Sequence, residues 1–379
     1  MDSSKRSLSS LPPELIEEIL YRTPAESLVR AKPTCKQWYA LITDTRFIYE
    51  HLRRSPQRFI RTEETVQIMD PVTRTRSDSP LPKELRRLHS IRMMVHCDGL
   101  LLCMRSYCQY RDTDLALWNP VLRELAWIEP STCFTTSDYY GIGYDIKKSR
   151  YDYKILRFTD HRYDDHNASY DDEPEVEVYE FKTNSWRTLA AEVDWAVDLT
   201  CKGAAVMGNM YWIASEDEEQ FILGFDFSVE RFKNVCFCPP PADNNYLACF
   251  DGDRLSLLQQ DEKEPWNIVV WVTNKLADVD VLFTKYFNVS RPDVPALLDH
   301  TDMAHPVYFI GEHKRIMAWS EVEVDEDDDK DPPICIIFYE IDEGGVRRKL
   351  ETERHYEAGY YGTFLCGYVY VPSLVSLPE

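Results

Sequence analysis

From residue 59 onward the chain repeats a two-part unit. The first part is a short apolar strand: DGLLLC from Asp98, YKILRF from Tyr153, GNMYWIA from Gly208, DRLSLLQQ from Asp253 and KRIMAWS from Lys314. The second is a strand, a polar turn, and an aromatic or apolar residue among polar ones. These read LWNPVLREL from Leu117, YEFKTNSWRTL from Tyr179, FDFSVERFKNV from Phe225, VWVTNKLADV from Val270 and FYEIDEGGVRRKL from Phe338. The second parts start about 45 to 70 residues apart. The longest gap holds the acidic stretch EVEVDEDDDKDPP, and another, DHRYDDHNASYDDEPE, precedes Tyr179. Allowing for these insertions leaves a period near 50, in the range of propeller blades. One such unit cannot bury its own faces, so neighbours must stack, and stacking around an axis gives a β-propeller. A β-sandwich is the competing fold, but it does not predict the period. A propeller must also join its ends, because an open one leaves an exposed edge. The strand-like segments 58–70 and 366–375 are therefore expected in the same or neighbouring blades. The two acidic stretches, residues 160–175 and 321–333, are expected to project as loops, because blocks of like charge repel and resist burial.

The chain before this region has a different character. Residues 1–9 read as a disordered leader, 10–52 as a small helical module and 53–379 as the β domain. LPPELIEEIL places Pro13 in a first helical turn, where its missing N–H has no partner to lose. At ~100° per residue, Leu15, Ile16, Ile19 and Leu20 fall within about 140° of arc, opposite Glu14, Glu17 and Glu18. Pro24 and Pro33 punctuate the next segments, AESLVRA and TCKQWYALI, which read as a second and third helix. Cys35, Trp38, Leu41 and Ile42 cluster on one face of the third. A module this small rarely supports a core of its own, so its stripes must be buried on the rest of the chain or on a partner.

At these residues the sequence resembles the F-box, the adaptor-binding motif of SCF-type cullin–RING ubiquitin ligases. The resemblance runs through the opening Leu-Pro, the pairs Ile19-Leu20 and Leu28-Val29, Cys35-Lys36 and Trp38. It implies that Leu11, Pro12, Leu15, Ile19, Leu20, Leu28, Val29, Cys35 and Trp38 contact or support a Skp-family adaptor; some of them equally suit the module's own core. The β region is similar to the plant F-box-associated domain, a divergent kelch-like relative. The phrases that carry this are CDGLLLC, LWNP, GIGYD, YKIL, GNMYWIA, FDFSVERF, LSLLQQ, VWVTNKL, VYFIGE and YVPSLV, in family order. True kelch blades carry a double glycine after the second strand, whereas this chain has 13 glycines and one Gly-Gly, at Gly344, which reads as a turn. The fold class expected is thus α+β multidomain: a three-helix F-box followed by an all-β, kelch-like propeller.

Charge and composition narrow the function further. With 43 basic and 65 acidic residues the formal charge is −22, which disfavours nucleic-acid phosphate as a partner and favours basic surfaces. No apolar run approaches a membrane span and no signal peptide is apparent, so the 11 cysteines are expected reduced, in nucleus or cytoplasm. Nucleophile-elbow, P-loop and dinucleotide motifs are missing from the sequence, and no cofactor is called for. His96, Cys97, Cys103 and Cys108 fit no common zinc spacing and fall on strand positions. Cys236 and Cys238 alternate around Phe237 and read as a packed pair on one strand face. The expected function is that of a non-catalytic substrate-recognition subunit. The module binds the Skp-family adaptor and, through it, cullin and RING subunits; loops at one mouth of the β domain hold a target protein. Catalysis is then proximity to the ligase's ubiquitin-loaded enzyme. The alternatives are an F-box protein that sequesters its partner outside the ligase, and an enzyme built on a propeller scaffold.

Overall fold

The computed structural model describes residues 12–378 except 63–64, 74–75, 86–90, 107–112, 130, 132–137, 148–151, 160–174, 199–202, 218, 298–306, 324–333 and 356–365. Six antiparallel sheets stand as the blades of a propeller. Blade 1 is Ile91–Cys97, Leu100–Ser106, Thr113–Asn119 and Glu124–Ile128; blade 2 is Tyr139–Tyr144, Tyr153–Phe158, Val176–Glu180 and Ser185–Thr188. Blade 3 is Ala204–Val206 (with Ala196–Val197 beside it), Asn209–Glu216, Glu219–Asp226 and Arg231–Phe237. Blade 4 is Asn244–Phe250, Arg254–Gln260, Asn267–Thr273 and Phe283–Ser290; blade 5 is Val307–Gly311, Arg315–Glu323, Ile334–Asp342 and Gly345–His355. The first strand of each blade is innermost, and these strands neighbour one another in a closed ring completed by Cys366–Tyr370.

The five sequence repeats are the second, third and fourth strands of blades 1 to 5. The sixth blade is composite and has no repeat of its own: Cys366–Tyr370 is its inner strand, and Arg58–Thr62, Thr65–Met69 and Arg76–Pro80 complete it. Arg58 pairs with Tyr370 and Thr62 with Cys366 in antiparallel register, so the two end segments share a blade as the closure argument requires. The acidic stretches are only partly within the described residues. Glu321–Glu323 continue a blade 5 strand, which corrects the loop expectation there, and Glu175 bonds Arg157 at 3.3 Å beside a strand start.

Period-2 alternation explains why the second strands read as continuous apolar runs: both faces of each blade are covered. In GLLLCM, Leu100, Leu102 and Met104 pack toward blade 2, while Leu101 and Cys103 pack toward blade 6 with Ile60 and Tyr370. Tight turns join the first two strands of blades 1, 3 and 4 through Asp98-Gly99, Met207-Gly208 and Asp251-Gly252. All six residues have positive φ; the first two turns are two-residue loops of the type I′ kind, whereas the third spans residues 251–253 between the paired Phe250 and Arg254. The turns between third and fourth strands instead place one left-handed residue, Arg123, Asn184 or Glu230, before the last strand. Non-glycine residues fill these positions, so the chain needs few glycines.

Among the described residues the module has four α-helices: α1 Pro13–Tyr21, α2 Ala25–Ala31, α3 Lys36–Ile42 and α4 Thr45–Arg54. The fourth extends the three expected. Its start is capped by Asp44, whose carboxylate accepts from the Phe47 N–H at 3.0 Å, and its last turn carries His51, Arg53 and Arg54, which suit the negative end of the helix dipole. Phe47 stacks on Tyr21 of α1 at 4.7 Å, and Arg54 lies over the same ring at 4.4 Å while bonding Glu18 at 2.9 Å. His51, buried, meets the carbonyl of Thr23 through Nε2 at 2.8 Å.

Candidate functional site

The apolar stripe of α1 divides lengthwise. Ile16 and Leu20 turn inward; Leu15 and Ile19 are 53% and 47% exposed, with Pro12 exposed one turn before Leu15. Leu20, Ala25, Leu28, Ile42 and Phe47 form the module's core, and Val121 of blade 1 and Leu374 of the carboxyl-terminal segment complete it. Burial of the stripe is thus shared between the module and the propeller. On α3, Cys35 is exposed and serves as the helix cap, its Sγ accepting from the Trp38 N–H at 3.4 Å. Trp38 and Val29 are half-buried against the core. Of the nine residues expected at an adaptor surface, Pro12, Leu15, Ile19 and Cys35 face outward, Val29 and Trp38 lie at the boundary, and Leu20 and Leu28 are internal supports. Leu11 lies outside the described residues. Tyr39, 57% exposed on α3, was not in that set; its signal is the four-residue step from Cys35, which puts it on the outer face.

Three of the family phrases, LWNP, CDGLLLC and YVPSLV, meet where the module joins the propeller. Asn119 of LWNP, fully buried, accepts from the N–H groups of Val121 and Leu122 and donates to the carbonyls of Val375 at 2.7 Å and Ser373 at 3.3 Å. Gly99 of CDGLLLC packs directly on Ser373, where an added Cβ would stand 2.1 Å from the serine Cβ. His96 Nε2 accepts from the N–H groups of Gly99 at 2.9 Å and Val371 at 3.4 Å. Two donors on one ring nitrogen require a neutral imidazole. Burial pushes its pKa down in the same direction, to about 4. Glu26 of α2 pairs with Arg58 of blade 6 at 3.0 Å, a second bond across the junction.

Beside this junction lies a cavity of about 660 Å³ at the mouth of the central channel. Its walls include the Asp98-Gly99, Met207-Gly208 and Asp251-Gly252 turns, and Tyr49, Leu52 and Arg53 of α4 form one edge. The helices therefore cover part of this mouth.

Reactive chemistry is not assembled at the positions that invited it. Cys97 is buried toward blade 2 and Cys103 toward blade 6, on opposite faces of blade 1, and His96 is committed to the junction. Cys108 lies outside the described residues. Among the described residues, no group of three or more His, Cys, Asp or Glu is placed to hold a metal ion. Cys236 and Cys238 both pack into the core between blades 3 and 4, on the side opposite the exposed Phe237. Burial raises both thiols to about 12, the reverse of what a nucleophile needs.

Comparison with known proteins agrees with this architecture. Residues 8–49 match the F-box domain and residues 51–377 match the F-box associated beta propeller domain. The Arabidopsis thaliana protein named F-box protein At3g08750 is 52% identical over 98% of both chains. F-box/WD-40 repeat-containing protein 1 of the same plant is 43% identical over all of this chain and 91% of that one. Among solved structures, TolB from Acinetobacter baumannii aligns over 86% of this chain and 70% of that one at 11% identity with a TM-score of 0.44, too distant to carry an argument. F-box domains generally bind Skp-family adaptors in SCF complexes, and the F-box and propeller combination is typical of their non-catalytic substrate-recognition subunits. With both family matches falling on the helical module and the six-bladed domain described above, this chain belongs to the plant F-box proteins that carry an F-box-associated β-propeller.

Proposed function

We propose that this chain is the target-recognition subunit of an SCF-type ubiquitin ligase. Pro12, Leu15, Ile19, Val29, Cys35 and Trp38, with Tyr39, meet a Skp-family adaptor, which brings cullin and RING subunits; Leu20 and Leu28 hold that surface in place. The propeller binds the protein to be ubiquitinated and degraded, and the chain itself makes no bond. The observation that carries this reading is the division of α1. A helix whose inner apolar residues already complete a core has no structural need for Leu15 and Ile19 outside it. Exposed apolar pairs at helical spacing suit helix docking on a partner. Because α4 borders one mouth of the channel, the blade sides and the opposite mouth offer the freer surface for a target. The described cysteines are free thiols, consistent with work in a reducing nucleus or cytoplasm.

The test is affinity purification of the tagged full-length chain from plant cells with the proteasome blocked. Recovery of adaptor, cullin and RING subunits together with ubiquitinated proteins supports the reading. Adaptor without cullin would replace it with a sequestering role outside the ligase, and no adaptor at all would remove it.

A further inference from the structure

The cavity at the channel mouth, about 660 Å³, has the size and make-up of a small-molecule site: mostly apolar walls with a few polar groups. Its charges are gathered by sign. Asp98 comes from blade 1, and Asp251 and Asp253 from blade 4, on the opposite side of the ring. Among the described residues the lining has one cation, Arg53 of α4, which already bonds Glu50 at 2.8 Å. Arg254 engages Asp251, and Lys275 lies 3.2 Å from Asp253, in partly exposed pairs of the kind that hold weakly. Asp98 accepts from a neutral donor, the Tyr153 hydroxyl, at 3.0 Å. The field these groups leave inside the cavity is negative. Cys249, also in the lining, reports it: burial first, and then the carboxylates of Asp253, Asp251 and Asp98, push its thiol up to about 11. Carboxylates from two facing blades therefore act on one point. The rim between them is apolar. Ile146, beyond the first strand of blade 2, and Met207 of blade 3 are 44% and 39% exposed. Met207 has a φ of 53°, in the left-handed region where Asp98 and Asp251 also stand. Asn, Asp and Gly suit that region and methionine does not, so the turn itself gives no reason for this side chain. Strain of this kind gathers at binding sites, and a thioether adapts to varied apolar shapes.

We infer that the cavity binds a small organic amine, its ammonium head among Asp98, Asp251 and Asp253 and its apolar body against Met207 and Ile146. Enclosure favours a free molecule over a lysine side chain on a partner protein, because α4 covers part of the mouth with Tyr49, Leu52 and Arg53. The inference goes beyond the ligase reading and does not depend on it, because binding is measured on the full-length chain without adaptor.

The test is isothermal titration calorimetry of the full-length chain with phenylbutylamine. Three comparison compounds are the neutral phenylbutanol, the anionic phenylbutyrate and, as the peptide source of an ammonium group, N-acetyl-lysine methylamide. The inference expects saturable binding of the amine with Kd below about 1 mM, and binding at least about tenfold weaker for the other three. Asp98→Asn combined with Asp251→Asn removes two carboxylates while keeping residues that suit the left-handed region. It should weaken the amine at least about tenfold with the melting temperature unchanged. Met207→Asn should weaken it at least about threefold while the melting temperature holds or rises, a pairing that a purely structural methionine would not give. If the double variant melts lower, Asp251→Asn alone, at a side chain 57% exposed, decides the matter. Failure of the amine to bind, equal or tighter binding of any of the three comparison compounds, or an undiminished affinity in well-folded variants would overturn the inference.

Discussion

Ile19 and Leu20 are adjacent in sequence and sit about 100° apart on α1. Leu20→Asp would put a carboxylate into the core shared with Val121 and Leu374, and such a burial costs several kcal/mol. Ile19→Asp would place it in water. Thermal melting should therefore drop by many degrees for the first and hardly move for the second. Asn119→Ala would strip the junction of four hydrogen bonds at a buried position. Leaving such groups unsatisfied costs about 1–3 kcal/mol each when water cannot replace the bond, so chemical denaturation should show a clearly lower midpoint. His96 supplies a pH dependence. Its pKa is about 4 in the folded chain against 6.5 as a free side chain, so the unfolded state binds more protons between those values. The stability it contributes is complete above pH 6.5 and is lost as pH falls toward 4, by at most about 1.4 kcal/mol per pH unit. Melting curves across that window should show the decline, and His96→Gln should flatten it while starting from a lower value. The outer face of the proposed adaptor site was legible in part: helical arithmetic found the stripe but could not say which edge faces in. That depends on Val121 and Leu374, which lie far away in sequence and arrive only with the propeller.

The strands show the same division between what local sequence encodes and what it leaves to assembly. Repeats at a regular period revealed the second, third and fourth strands of five blades, because alternation and turn residues are local signals. The inner strands escaped the repeat. Ala204–Val206 is three residues long, and Val307–Gly311 carries no phrase in common with it. The sixth blade was visible only through the logic of closure. That logic makes Cys366–Tyr370 the element whose loss is felt everywhere, since it pairs with Arg58–Thr62 and neighbours the inner strands of blades 1 and 5. Ending the chain at residue 365 should abolish cooperative melting of the whole domain. Ending it at residue 371 keeps the strand but removes Ser373, Leu374 and Val375 from the junction. It should leave the propeller folded and expose the module to limited proteolysis, with cleavage mapped by mass spectrometry.

At the scale of the molecule, the helical module and the propeller share one core. A core cluster, the Asn119 bonds and the Glu26–Arg58 pair all cross between them. Of the two places where the sequence left the module's stripes to be buried, the rest of the chain takes part of them, through Val121 and Leu374. Far- and near-ultraviolet circular dichroism should accordingly report a single coincident transition. Under the proposed ligase role, a shared core at the junction would help hold a target at a fixed distance from the ligase's active end. The central claim is that the outer edge of α1 is the adaptor surface, and Ile19→Asp tests it most directly in a binding titration with purified Skp-family adaptor. The account predicts an unchanged melting temperature with affinity lowered by about 30- to 700-fold, the loss of roughly 2 to 4 kcal/mol typical of an interface hot spot. Undiminished adaptor binding by the folded variant would contradict it.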